Sequence, residues 1–432
     1  MKIKKLFYKL DFFILLLIIF FSYLYIEFNL TPSPDAQLYF GVANNIFDGI
    51  GYYDTIRNDE ILPSIGYPII LVGIIKVGIS GLVYSQVSIA LSLTVLYIAL
   101  IKLNINRLYA LILIFIFILV IPSLSIWSIE LGLIFSLVVL FYYTTQYIQH
   151  PSLFNFILLI ISLLLVILIR PILLPFLYLG IPFILFAIYK FKAIRKQFII
   201  GFGILFISII SIYSISIYLY KDSRLISGTY SAIPLYCAWN PYLRLTKGYT
   251  SNDWQNIEPN DKDKVWNLFY YYNNWEERDS RIKKEIAKFI LMEPIKAING
   301  YLWRLIKYTI YPSSIAYLLL FYLWVFFTYL IIKKFNYIQS HNKYFFTISF
   351  ILVLYVILIT SVFIFTGNRY YITPSLFLLF SIAINIYILK SNKKIISYYS
   401  IFLIKLQKLL CLIIPRILIF KKFQNQIRKS TK

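Results

Sequence analysis

Of the chain's 18 acidic residues, five, Asp35, Asp48, Asp54, Asp59 and Glu60, fall within 26 consecutive positions. A carboxylate held at a fixed geometry can take a proton from a hydroxyl nucleophile, the work of a general base. Arg57 lies in the same acidic segment, while Arg170 and Arg369 stand at the edges of hydrophobic runs. A guanidinium presents a planar fork of donors that matches phosphate. One further acid, Glu130, follows "PSLSIWSI" within an apolar stretch. These are the residue types of a site that removes a proton from one group and holds the anionic part of another. Their value depends on the elements that bring them together.

Those elements are hydrophobic. The chain is 60% hydrophobic with a mean hydropathy of +0.77, and its apolar runs approach the ~20 residues that cross a bilayer as a helix. A soluble globular class is excluded, and the chain reads as an all-α polytopic membrane protein. The formal charge of +24 comes from Lys and Arg scattered beside apolar runs, the pattern of positive-inside topology and anionic lipid; nucleic acid is not expected as a partner. Two cysteines, Cys237 and Cys411, lack metal-ligand spacing. No Walker-type or G-x-G-x-x-G loop cradles a nucleotide, so an energy-rich substrate would have to arrive some other way, and the membrane itself can deliver one as a lipid phosphate. "MKIKK" followed by Phe12 to Ile26 has no small-residue cleavage site after it and reads as a retained anchor.

About ten spans are expected, near 11–29, 82–101, 108–122, 126–147, 153–169, 172–189, 198–219, 312–332, 345–366 and 370–389. Lys2, Lys4, Lys5 and Lys9 hold the N-terminus inside, and Lys102, Arg107, Lys190 to Lys196, Lys333, Lys334 and Lys390 to Lys394 then fall inside as well. All acids except Asp11 fall outside or toward the outer leaflet. A polytopic unit, 1–389, thus carries two long external loops, 30–81 and 221–311, and ends in a basic cytoplasmic tail, 390–432, in which 395–420 reads as an interfacial helix rather than an eleventh span. The Ile, Lys, Asn and Tyr bias is that of an AT-rich genome and points to a bacterial plasma membrane.

Within the first loop, Ser33 suits an N-cap and Pro34 a first helical turn, Leu38, Val42 and Ile46 share one face, and Gly49 and Gly51 end the helix. This predicts an amphipathic helix at the outer interface, with Asp35 in its first turn. There a carboxylate either complements the helix dipole or does chemistry. "PSIGYPIILVGIIKVGIS", 63–80, should fold back beside it, the pair forming a pocket floor at headgroup level. Glu130 is expected a turn and a half inside its span, where an ionisable group is expensive; it either pairs with Arg170 or serves a ligand. Each arginine has a structural alternative, because a cation at a span end also snorkels to headgroups. Asp54 is a candidate for sugar hydroxyls, and Asp48 beside Gly49 suits turn chemistry equally. The second loop mixes charge with "YCAWNPYLR" and "WNLFYYYNNW", and "RIKKEIAKFILMEPIKAI" predicts an amphipathic helix kinked at Pro294.

The order of "PDAQLYFGVANNIFDGIGY", "LPSIGYPIILVGIIKVGI", "IPSLSIWSIELGLIFSLVVL", "ILIRPILLPFLYLG" and "TGNRYYITPSLFLLFSIAI" resembles the polytopic GT-C glycosyltransferases, which include protein mannosyltransferases and the enzymes that decorate lipid A. The resemblance implies inverting transfer of a monosaccharide from a polyprenyl-phosphate donor to a glycan, lipid or protein acceptor on the external face. It puts the catalytic base at Asp35, with Arg170 and Arg369 at recurrent arginine positions. Arg57, Glu130 and Asp54 complete the substrate-binding set. Two departures stand out: Ala36 replaces a second acid found in many relatives, and Ser64 and Ile65 replace an acid and a lysine of others. No metal or other cofactor is therefore expected. A polymerase or ligase of lipid-linked glycans, or a lipid-linked sugar flippase, are the alternatives, and charges within spans are few and biased outward, which disfavours transport.

Overall fold

The computed structural model describes residues 13–14, 16–17, 20, 34–52, 64–121, 127–170, 195–220, 239, 275–309, 315–333, 335–338, 340–363 and 372–391. Among them there are helices and no strands. In chain order these are α1 (Pro34–Phe47), α2 (Gly66–Lys76), α3 (Gly81–Lys102), α4 (Arg107–Val120), α5 (Ile129–Gln149), α6 (Leu153–Ile169), α7 (Arg195–Tyr220), α8 (Trp275–Met292), α9 (Pro294–Thr309), α10 (Ile315–Lys333), α11 (Ser340–Phe363) and α12 (Ile372–Ser391). Four of them, α3, α5, α10 and α12, are long and apolar enough to cross a membrane. The 22 residues of α3 rise roughly 33 Å, which matches a hydrocarbon core of about 30 Å. Helices α2, α4 and α6, and the stretches 199–212 and 346–358 inside α7 and α11, are shorter apolar pieces. The expected segments at 172–189 and 395–420 lie outside the described residues, as does most of 11–29.

Local chemistry sets the helix ends. Ser80, Asn106 and Ser152 accept from the backbone N–H of Val83, Leu108 and Asn155 at 3.4, 3.0 and 3.2 Å, filling donors that a first helical turn leaves open. Asn104, at φ 57°, turns α3 into α4, a left-handed position that Asn tolerates. α6 stops at Arg170, whose extended backbone (φ −146°, ψ 106°) is what a following proline requires. Lys102, Lys333 and Lys390 stand in last turns, where a cation complements the dipole.

α12 is the centre of the bundle. It packs on α4, α5, α10 and α11, and every side chain from Ile372 to Ile386 is buried. Phe141 of α5 stacks on its Phe380 at 4.1 Å. Apolar contact discriminates poorly between neighbours in lipid, so polar pairs fix the register. Trp324 Nε1 of α10 donates to Ser381 Oγ at 3.0 Å, Ser381 Oγ donates to Ser349 Oγ of α11 at 3.3 Å, and Asn385 Nδ2 donates to Thr328 Oγ1 at 3.3 Å.

These registers gather the lysines. The pairs 324 with 381 and 328 with 385 make α10 parallel to α12, so Lys333 and Lys390 share one end. Lys390 Nζ donates to Asn104 O at 2.7 Å, and Lys102 Nζ donates to Tyr142 Oη at 3.1 Å. The amide of Gln149 reaches Lys102 O as well. The bundle therefore has a basic end, as the alternating spans lead one to expect. The starts of α3, α5 and α12 and the end of α6 lie at the opposite end.

Candidate active site

At that opposite end α1 and α2 pack on each other, and α2 packs on α6. Leu38, Val42 and Tyr52 are buried together, with Ile46 and Ile65 against them, so the apolar face expected of α1 is the one it buries. The chain leaves α1 through Gly49 at φ 74° and Gly51 at φ 113°, conformations that a side chain would strain. α2 starts in tight contact with α6. Ser64 Oγ donates to Ile169 O at 2.7 Å, and a Cβ at Gly66 would stand 2.4 Å from the carbonyl carbon of Leu168. The two short helices thus form a pair held at this end of the bundle.

Tyr67 carries that contact into the bundle. Its ring is fully buried, with Tyr39 of α1 edge-on at 5.4 Å, and it lies so close to α5 that a Cβ at Gly132 would be 2.7 Å from its Cδ2. Burial, with smaller contributions from Tyr84 and Glu130, holds the Tyr67 hydroxyl well above the ordinary tyrosine range and keeps it a donor. Tyr84 Oη is near enough to act on it, but no partner satisfies hydrogen-bond geometry at Tyr67 Oη. A buried polar atom left in this state is costly and calls for an explanation.

Among the described residues Glu130 is the buried carboxylate of this end, 7% exposed. It stands one residue into α5, because Ser128 caps the helix and accepts from Glu130 N at 3.3 Å. The expectation of a position a turn and a half inside the span is corrected: the helix begins later than the apolar run, since the serine hydroxyl offers the backbone a better start. The same hydroxyl donates to Glu130 Oε2. Just before it, Trp127 adopts φ 64°, a left-handed conformation costing roughly 1–2 kcal/mol for a residue with a Cβ. Its ring is sandwiched between Phe40 of α1 at 4.7 Å and Tyr84 of α3 at 5.8 Å, which offsets the strain and ties three elements together.

The site residues expected from sequence are thus partly united. Position 35 is one residue into α1 and one helical turn before Tyr39. Arg170 is the half-buried C-terminal cap of α6. Ile169 lies 3.7 Å from the Cβ position of Gly132, so Arg170 and Glu130 lie at the same end of the α5–α6 pair. Arg57, Asp54 and Arg369 lie outside the described residues. Among the described residues no group of three His, Cys, Asp or Glu side chains gathers.

Sequence reading missed Ser64, Tyr67, Ser128 and Trp127. For Ser128 the signal is present, a serine two residues before an acid within an apolar stretch. It also missed Arg304 of α9, which is 3% exposed and sits over the Trp239 ring at 4.8 Å, with Tyr301 stacked on the same indole at 6.0 Å. No protein-family model matches the chain, and no curated protein or solved structure matches it. The resemblance to the GT-C glycosyltransferases therefore rests on the order of the motifs alone.

Proposed function

We propose that the protein is a ten-span, inverting membrane glycosyltransferase that moves a monosaccharide from a polyprenyl-phosphate donor to a glycan, lipid or protein acceptor on the external face of a bacterial plasma membrane. What supports this reading is that the buried Glu130, the Arg170 cap and the paired helices α1 and α2 share the end of the bundle away from the lysines, α1 being the helix whose first turn carries Asp35. In the proposed reaction Asp35 takes the proton of the acceptor hydroxyl as that oxygen attacks the anomeric carbon. The bond from that carbon to the phosphate oxygen breaks, and the lipid phosphate leaves with the electron pair. General-base assistance contributes about 10²–10⁴-fold. Arg170 and Arg369 stabilise the departing phosphate in a poorly hydrated setting, where fixed cations act most strongly. Glu130 and Asp54 hold sugar hydroxyls, and Arg57 contributes to the anion site. The Tyr67 hydroxyl is a ready donor to a ligand oxygen beside Glu130.

The test is transfer of labelled sugar from a panel of polyprenyl-phosphate monosaccharides by the purified, reconstituted protein, with membrane extract from the source cell as acceptor. Donor-dependent incorporation of single residues supports the proposal. Chain extension from diphosphate-linked oligosaccharides would replace it with the polymerase or ligase, and movement of lipid-linked sugar between leaflets without transfer would replace it with the flippase.

A further inference from the structure

The elbow formed by α8 and α9 is separate from the α1–α2 pair, and it is two-faced. One side is sealed: Ile282, Ile286 and Phe289 of α8 are buried, as are Ala297 and Arg304 of α9, and α9 packs on α11. The other side is apolar and open. Leu291 is 80% exposed, Met292 72%, Ile295 75% and Ile298 57%, and Leu302 and Ile306 continue the row. Positions 295, 298, 302 and 306 recur at three- and four-residue intervals, which keeps them in one stripe along α9. The row is widest at the bend, where Pro294 starts α9 after Glu293. A helix that presents apolar residues on both sides has two different partners, and the protein core accounts for one.

We propose that the second partner is the lipid surface: the α8–α9 elbow lies in the plane of the membrane interface with the Leu291–Met292–Ile295 apex below the headgroups. Two features of the chain select lipid over another protein. α9 ends at Thr309, and α10, one of the four helices long enough to cross the membrane, begins at Ile315, so the end of α9 is held at the membrane boundary by a connection of five residues. The charge is also complementary. Between 280 and 306 the sequence has six Lys and Arg (281, 283, 284, 288, 296, 304) and two Glu (285, 293). Lys283, Lys284 and Lys288 are exposed, as anionic headgroups require of a basic amphipathic helix. Glu293 is itself paired, with Lys296 Nζ 2.9 Å away, which spares the apex an unbalanced carboxylate.

The inference is independent of the enzymatic reading and is tested without activity. In a full-length C237S/C411S background, single variants L291C, I295C and K284C are labelled with an environment-sensitive fluorophore and reconstituted into nanodiscs containing anionic phospholipid. Nitroxide-bearing acyl chains and aqueous iodide then quench the label in turn. Labels at 291 and 295 should be blue-shifted and quenched by shallow acyl nitroxides about threefold more than the label at 284, which should respond to iodide instead. Iodide quenching at 291 and 295 equal to that at 284 would overturn the proposal by showing the apex in water. Protection from both quenchers would overturn it in favour of a protein partner or second copy. Intrinsic tryptophan emission matching the unlabelled protein shows that each variant is folded, and M292C replaces any variant that is not.

Discussion

Adding one methyl group at each of three glycines should produce three different results, ordered by what that methyl meets. At Gly66 an ideal Cβ falls 2.4 Å from the Leu168 carbonyl carbon and 2.5 Å from its oxygen. These are helix backbone atoms of α6 and cannot yield without moving the helix. At Gly132 the contact is 2.7 Å to a Tyr67 ring carbon, and that ring is fully buried against Tyr39. At Gly73 nothing lies within 4 Å, and the residue sits in the middle of α2. Overpacking costs about 1–3 kcal/mol, so Gly132→Ala should fall in that range and Gly66→Ala at or above its top. Gly73→Ala should gain about 0.5–1 kcal/mol, because alanine loses less backbone entropy in a helix. With each kcal/mol moving the midpoint of a large domain by roughly 2 °C, Gly132→Ala should melt about 2–6 °C lower. The assay is tryptophan fluorescence of the detergent-solubilised protein at one fixed scan rate, since unfolding of such a protein is read as a rate. A second variant isolates the cause: in a Tyr67→Ala background the methyl at 132 has room, and its penalty should shrink by about 0.5 kcal/mol or more. Equal effects at 66, 132 and 73, or a Gly132 penalty that persists without the Tyr67 ring, would refute the placement of α2 against α5 and α6.

Three further outcomes follow from the same geometry. Ser381→Ala removes the acceptor of Trp324 Nε1 and the donor to Ser349, and should destabilise the α10–α11–α12 unit by about 0.6 kcal/mol and at most about 1.7; no change in melting would mean that α12 is held by apolar packing alone. Glu130→Gln keeps the size of the side chain and an acceptor for Ser128, so melting should stay near wild type while the Michaelis constant for the sugar donor rises; a large loss of stability with unchanged donor kinetics would make Glu130 a structural residue. Arg170→Ala and Arg369→Ala should each weaken use of the lipid-phosphate donor, measured as donor kcat/KM with the protein still inserted, and unchanged kinetics in both would remove the phosphate clamp.

What the sequence reveals here is governed by range. Helix α6 was legible over its whole extent, 153–169, because its apolar run is continuous. The turn after α1 was legible from Gly49 and Gly51, and the buried face of α1 from Leu38, Val42 and Ile46. The basic end followed from lysines at the ends of alternating runs. Glu130 was placed too deep because hydropathy alone locates an apolar run, whereas Ser128 decides where its hydrogen-bonded turns begin. The contacts that build the candidate site were not legible. Gly132 with Tyr67, Ser64 with Ile169 and Trp127 between Phe40 and Tyr84 join residues far apart in the chain, and nothing in a glycine or a tryptophan names its partner. Arg304 was hidden for a related reason: its partner Trp239 lies 65 positions earlier in the chain. The five motifs that resemble the GT-C enzymes are short, and their order is a weaker signal than any of these contacts.

The central claim is tested most directly by comparing Asp35→Asn with the wild-type protein, both purified and reconstituted, in transfer of labelled sugar from a polyprenyl-phosphate donor that the wild type uses. Asparagine retains the size of the side chain and its suitability at a helix start, but it cannot accept the acceptor's proton as a carboxylate does. The account predicts a loss of about 10²–10⁴-fold in kcat with unchanged melting and donor binding; transfer at the wild-type rate would contradict it and leave Asp35 a residue that serves only the helix dipole.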